Sequence, residues 1–166
     1  MRFFFNDLEA IKMAMDIEKR GERFYTTVGN KLDKEEIKEI FMDLAQQERE
    51  HKETFEELYK NAANYKEKFD DTYLFNPDIS NYLSAMVETV VFPSDEKLDE
   101  ILENIDNAED ALKLGIQAEK DSILFYTEMI IYSKLVEAKE AFRKLLNEEK
   151  KHLIDLQKKL QEIRSG

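Results

Sequence analysis

The sequence predicts an all-α protein: four long helices in two antiparallel hairpins, with a long crossover between helices two and three. Three observations carry this. The 166 residues include only 4 Gly and 2 Pro, whereas sheets joined by tight turns use both heavily. Four segments repeat their apolar residues with the 3.6-residue period of an amphipathic helix. Shifting the sequence by 101 residues superimposes the first pair of segments on the second.

The first segment runs from about Asp7 to Val28, with the seam Leu8, Ile11, Met15, Glu18, Glu22, Tyr25. Asn6 is placed to cap it, with Glu9 completing a capping box, and Gly29-Asn30 is expected to end it. The second runs from about Lys34 to Ala62 behind Asp33 as the expected N-cap. Its seam is Ile37, Phe41, Leu44, Glu48, His51, Phe55, Leu58. The third spans about Ala108 to Tyr132, capped by Asn107, with Leu112, Gly115/Ile116, Glu119, Ile123, Tyr126 and Ile130 on its seam. The fourth spans about Lys134 to Ile163, with the seam Ala138, Phe142, Leu145, Glu149, His152, Leu156, Ile163. Short loops make hairpins of about 7–62 and 107–163. The crossover, about 63–106, is expected to carry a helix from Asp78 to Phe92 opened by Pro77, and a second after Ser94. The whole chain reads as one domain.

Composition removes several function classes. Cys is absent, which excludes thiol catalysis, disulfides and cysteine-held metal centres from this chain. The net charge of −12 leaves no basic face for nucleic acid and disfavours anionic membranes. No stretch has the length of a membrane span or the form of a signal peptide, so a cytoplasmic location is expected.

Polar residues interrupt the apolar seams at matching places. Glu18 matches Glu119, and Glu48-x-x-His51 matches Glu149-x-x-His152; these are the chain's 2 His residues. The step from Glu18 to Glu48 is 30 residues, as is that from Glu119 to Glu149. Residues three apart on a helix share a face, so each Glu-x-x-His presents both side chains inward. Four carboxylates and two imidazoles then converge at mid-height in the core. Buried carboxylates must be paired, protonated or bound to metal. Two divalent cations balance the four negative charges and leave the imidazoles neutral as ligands. Oxygen-rich ligation with one imidazole per ion suits iron or manganese better than structural zinc.

Around this set, Tyr25 and Tyr126 each lie seven residues after Glu18 and Glu119. On that face a ligand carboxylate is the natural partner for a buried phenol. Gln47 and Glu148 precede Glu48 and Glu149 and are placed to hold the far nitrogen of the opposite histidine. Glu22, one turn after Glu18, is a candidate extra ligand; a solvated Glu beside the site is the alternative.

At these residues the chain resembles the ferritin-like di-iron carboxylate superfamily, and most closely its rubrerythrin-type domain. The resemblance covers both hairpins. It implies a ferritin-like four-helix bundle with two irons per chain, manganese or a mixed pair being alternatives. Glu18 and Glu119 would be terminal ligands, Glu48 and Glu149 bridges, and His51 and His152 one ligand to each ion. Two departures stand out. Rubrerythrins proper carry an Fe(Cys)4 rubredoxin-like module, which a chain without Cys cannot form. They also carry a further carboxylate near the helix-three ligand, where this chain has Ile116 and Ser122.

The resemblance implies an oxidoreductase that reduces hydrogen peroxide or dioxygen, with electrons from an external donor such as a rubredoxin or flavoprotein. The alternatives are a ferroxidase and a metal-stabilised binding or structural bundle. A substrate pocket lined from the crossover by Tyr73, Phe75, Tyr82, Met86 and Phe92 is conceivable, packing being the favoured role for these residues. A homodimer is the default expectation.

Overall fold

A computed structural model describes residues 6–64, 76–88 and 93–166 of the chain. Six helices follow one another: α1 (Asp7–Lys31), α2 (Glu35–Ala63), α3 (Pro77–Glu88), α4 (Asp95–Glu103), α5 (Ala108–Tyr132) and α6 (Val136–Ser165). No strand occurs among the described residues. The all-α bundle with a helical crossover is thus the observed architecture. α1 packs along α2 and α5 along α6, and the two hairpins meet through α1 against α5 and α2 against α6.

The helix starts follow capping chemistry. Asn6 accepts the Glu9 N–H at 2.9 Å, and Asn107 accepts that of Asp110 at 2.9 Å, in matching places of the two hairpins. Asp33 is not a cap. The N-cap of α2 is Lys34, which makes no side-chain cap bond. The first turn of α2 relies instead on Glu35 and Glu36 against the helix dipole.

Gly29-Asn30 does not end α1, which runs on to Lys31 with Leu32 as C-cap. A Cβ on Gly29 would stand 2.9 Å from Met42 Cε and 3.1 Å from Phe41 Cβ. The missing side chain therefore serves close approach of α1 to α2, and helical backbone continues through it.

In the crossover, α3 begins at Pro77 and is described as far as Glu88; the expected extension over 89–92 lies outside the described residues. α3 packs on α5, and α4 lies against α1, where Arg23 pairs with Asp95 at 2.6 Å. Of the crossover aromatics, Tyr73, Phe75 and Phe92 lie outside the described residues. Met86 is buried in the core and Tyr82 is exposed, which matches packing more than a shared pocket.

A tether that the sequence does not announce closes one end of the bundle. Asp7, fully buried in the first turn of α1, accepts the Lys134 backbone N–H at 3.2 Å through both carboxylate oxygens. Lys134 lies in the α5–α6 turn, so a residue of the first hairpin satisfies backbone of the second. Burial raises the Asp7 pKa, and the hydrogen bonds from Lys134, Leu135 and Ser133 oppose that rise.

Candidate metal centre

The seam of each long helix is apolar above and below a polar middle, and the four middles meet. Phe24, Tyr25 and Phe41 pack on one side, with the Tyr25 ring 5.2 Å from Phe24 and 5.4 Å from Phe41. Phe125, Tyr126 and Phe142 pack on the other, the Tyr126 ring lying 5.7 Å from each partner. Every one of these residues has its counterpart 101 positions on. Between the two aromatic blocks the rings of His51 and His152 stack, with centroids 5.7 Å apart and planes 12° apart.

Two ligand groups form there, one of Glu18, Glu48, His51 and Glu149, the other of Glu48, Glu119, Glu149 and His152. Within each, one donor atom per residue lies within 4.8 Å of all the others. Glu48 and Glu149 belong to both groups. All six sequence-derived candidates are therefore brought together, and all six are buried.

The donor set fits a pair of cations. Eight ligand atoms are buried without a hydrogen-bond partner: Glu18 Oε2, both oxygens of Glu48, both of Glu149, Glu119 Oε2, and Nδ1 of His51 and His152. They crowd one another without bonding. His51 Nδ1 lies 3.3 Å from Glu18 Oε2 and 3.0 Å from Glu149 Oε1. His152 Nδ1 lies 3.3 Å from Glu48 Oε1, 3.4 Å from Glu119 Oε1 and 3.2 Å from Glu149 Oε2. Two donors each about 2.1 Å from one cation, at right angles to each other, stand about 3.0 Å apart. The spacing is that of atoms sharing an ion.

The surrounding side chains fix which atoms face inward. His51 Nε2 donates to Glu148 Oε2 at 2.5 Å, and His152 Nε2 donates to Gln47 Oε1 at 2.7 Å. Both acceptors hold the proton on Nε2, which leaves a lone pair on Nδ1 for a metal. The tyrosines cross between hairpins. Tyr25 Oη donates to Glu119 Oε1 at 2.5 Å, and Tyr126 Oη donates to Glu18 Oε1. Each phenol occupies one oxygen of a carboxylate and leaves the other, Oε2, free.

Electrostatics show what the cluster costs without cations. Burial, then the Glu149 charge, raises the pKa of Glu18 and pushes those of Glu48 and Glu119 well above the usual range. Burial also penalises Glu149, but the Glu119, His152 and His51 groups crowded against it prevail and hold its carboxyl below that range. Burial acts to lower the imidazole values; the facing carboxylates of Glu149 and Glu18 outweigh it and lift His51 to about 11. Glu119 and Glu149 do the same for His152, lifting it to about 10. Metal-free, the cluster neutralises itself with protons, and cations must displace them. Burial and the neighbouring carboxylates push both tyrosines well above their ordinary value, so they remain O–H donors.

Glu22 stands outside both ligand groups. Its carboxylate accepts from Arg49 Nε at 2.7 Å and lies 3.9 Å from Lys52 Nζ. Its contacts are with the positive charges of α2, in keeping with the alternative of a Glu beside the site. Arg49 itself was not singled out by sequence, because its partner is 27 positions away on another helix and no local spacing marks such a pair. Ser122 is buried one turn from Glu119, with its Oγ lacking a hydrogen-bond partner.

No helix among the described residues is long and apolar enough to cross a membrane. No curated protein matches the chain significantly. The chain is similar in structure to a Thermotoga maritima protein provisionally described as a ferritin-like diiron-carboxylate protein. The TM-score is 0.69 and the identity 24%, over 98% of this chain and 99% of that one. At that identity the likeness establishes the ferritin-like fold. The family model Rubrerythrin matches residues 9–160, a span that includes both hairpins and all six clustered ligand residues, and the chain belongs to the rubrerythrin family.

Proposed function

We propose that this protein is a di-iron oxidoreductase that reduces hydrogen peroxide, or dioxygen, with electrons from a separate donor protein, in defence against oxidative stress. The observation that carries the reading is the sharing of Glu48 and Glu149 between two ligand groups. Glu48 and Glu149 would hold two ions in common, and such a pair would supply two-electron chemistry to one small oxidant. One imidazole and several carboxylate oxygens per ion favour iron, or manganese, over structural zinc. When bound, a pair of ferrous irons supplies two electrons, which with two protons convert hydrogen peroxide to two waters.

The chain's own residues prepare that step. Glu148 and Gln47 keep each imidazole in the tautomer that offers Nδ1 inward. Tyr25 and Tyr126 hold Glu119 and Glu18 by one oxygen each, limiting the rotation of carboxylates that must carry a changing metal charge. The aromatic blocks above and below exclude water, which strengthens every charge interaction between them. With no Cys in these 166 residues, an Fe(Cys)4 electron relay is not part of this chain, so a rubredoxin or flavoprotein fits the donor role.

The test is rapid mixing of anaerobic protein carrying two Fe(II) per chain with hydrogen peroxide or with oxygenated buffer. Ferric absorbance that rises much faster with peroxide and stops at the bound irons supports the proposal. Faster oxidation by oxygen that continues through added iron replaces it with a ferroxidase.

A further inference from the structure

The pseudo-twofold that relates the hairpins is obeyed at the ligands and at the tyrosines, and broken one atom beyond the histidines. His51 Nε2 donates to a carboxylate, Glu148, at 2.5 Å; His152 Nε2 donates to an amide oxygen, Gln47, at 2.7 Å. Residues 47 and 148 are equivalent under the 101-residue shift, so one position carries Gln and its twin Glu. A carboxylate draws the Nε2 proton more strongly than an amide does, and the imidazole it holds becomes a better donor at Nδ1. In ligand composition the two groups match: each has its own Glu, its own His, a tyrosine on that Glu and the same two shared carboxylates.

From this mismatch we infer that the two ion positions differ in affinity: the position at Glu18 and His51 is the tighter and fills first, with Glu148 as the positioning residue that sets the order. The inference rests on the two-ion reading of the site. A bare negative charge on Glu148 cannot produce it, because two adjacent positions feel nearly the same added charge. A hydrogen bond to one imidazole acts on one position. The difference matters for function, because unequal positions let the chain hold one ion firmly while the second site remains exchangeable.

The experiment titrates metal-free protein anaerobically with Mn(II), read by calorimetry and by electron paramagnetic resonance. Two steps per chain are expected, separated by roughly 10–100-fold in Kd, the range in which such outer partners act. The first equivalent should give an isolated Mn(II) signal and the second a spin-coupled pair. Glu148→Gln should weaken the first step by about that factor and merge the two. Gln47→Glu should instead strengthen the second step and merge them.

The double exchange, Gln47→Glu with Glu148→Gln, should restore two steps. With one equivalent of Co(II) the shifted exchangeable Nε2–H proton should then belong to His152, where in the wild type it belongs to His51. Equal weakening of both steps by Glu148→Gln, or two equal steps in the wild type, overturns the inference and leaves the two-ion site standing. Fewer than two ions per wild-type chain overturns the two-ion reading itself.

Discussion

Replacing Tyr25 by Phe removes one oxygen atom and asks how much a single phenol contributes to the centre. Tyr25 and Glu119 are both fully buried, and their bond is 2.5 Å long. No solvent can take the place of the lost O–H. In the metal-loaded protein Glu119 is an ionised ligand, and a hydrogen bond to a charged group contributes about 1.5–3 kcal/mol. In the metal-free protein burial and the Glu149 charge shift Glu119 toward its neutral form, and a phenol bonded to a neutral carboxyl contributes only about 0.5–1.5 kcal/mol. The loss should therefore be about 2 kcal/mol with metal and about 1 kcal/mol without. For a chain of this size 1 kcal/mol shifts Tm by about 2–4 °C, so Tyr25→Phe should lower Tm by roughly 4–8 °C loaded and half that unloaded. The difference of about 1 kcal/mol must also appear as about fivefold weaker metal binding, since the two are linked by one thermodynamic cycle. Calorimetric melting with and without Mn(II), beside a direct titration, measures both. Equal shifts in the two states, with unchanged affinity, would refute the view that the phenol supports the ligand carboxylate. Tyr126→Phe, acting on Glu18, should repeat the pattern.

Four further outcomes are expected. Asp7→Ala strands the Lys134 N–H at the α5–α6 turn and should cost about 1–3 kcal/mol in urea unfolding, without changing metal stoichiometry. The metal-free protein should lose stability as pH rises. The folded-state values of about 11 for His51 and about 10 for His152 exceed the unfolded value of 6.5, so their contribution is complete below pH 6.5 and drains away up to those values. Melts from pH 6.5 to 9 should fall for metal-free protein and stay level once metal holds both imidazoles neutral. Arg49→Ala disturbs a pair that is half exposed on the Arg side; screening limits its cost to at most about 1 kcal/mol, and metal content by elemental analysis should remain unchanged, as Glu22 lies outside both ligand groups. Gly29→Ala gains up to about 1 kcal/mol of helix propensity but drives a methyl against Met42 and the fixed Cβ of Phe41. Overpacking of this kind costs about 1–3 kcal/mol, so a net loss of stability should appear in urea unfolding.

The sequence made the ligands legible because helical geometry turns spacing into direction. Glu-x-x-His repeated on two equivalent helices, and the Glu set 30 residues earlier in each hairpin, specify a face and a height. The same rule placed Tyr25 and Tyr126 on the ligand side. It could not show that each phenol would cross to the other hairpin's carboxylate, because that depends on how the hairpins pack. Local signals also misled where a tertiary need displaced them. Gly29 looks like a helix stop until Phe41 and Met42 are seen against it. Asp33 has the chemistry of a cap, but α2 starts after Lys34. The Asp7 tether spans 127 positions and leaves no periodic trace at all.

The way the ligand groups draw on the helices explains why the cluster can be both costly and central to the fold. The first takes Glu18 from α1, Glu48 and His51 from α2, and Glu149 from α6. The second takes Glu48 from α2, Glu119 from α5, and Glu149 and His152 from α6. Neither hairpin can complete a group alone. Each hairpin by itself gathers carboxylates that repel one another, and pairing the hairpins brings four of them together in a buried space. The crossed phenol bonds and the Asp7 tether pull the hairpins together, but they leave eight buried donor atoms unpartnered. Cations bound to both groups would satisfy those atoms and join the hairpins through the same bonds. Metal binding and hairpin docking are then one equilibrium, and whatever changes the metal's charge must act on the contact between the two halves of the bundle.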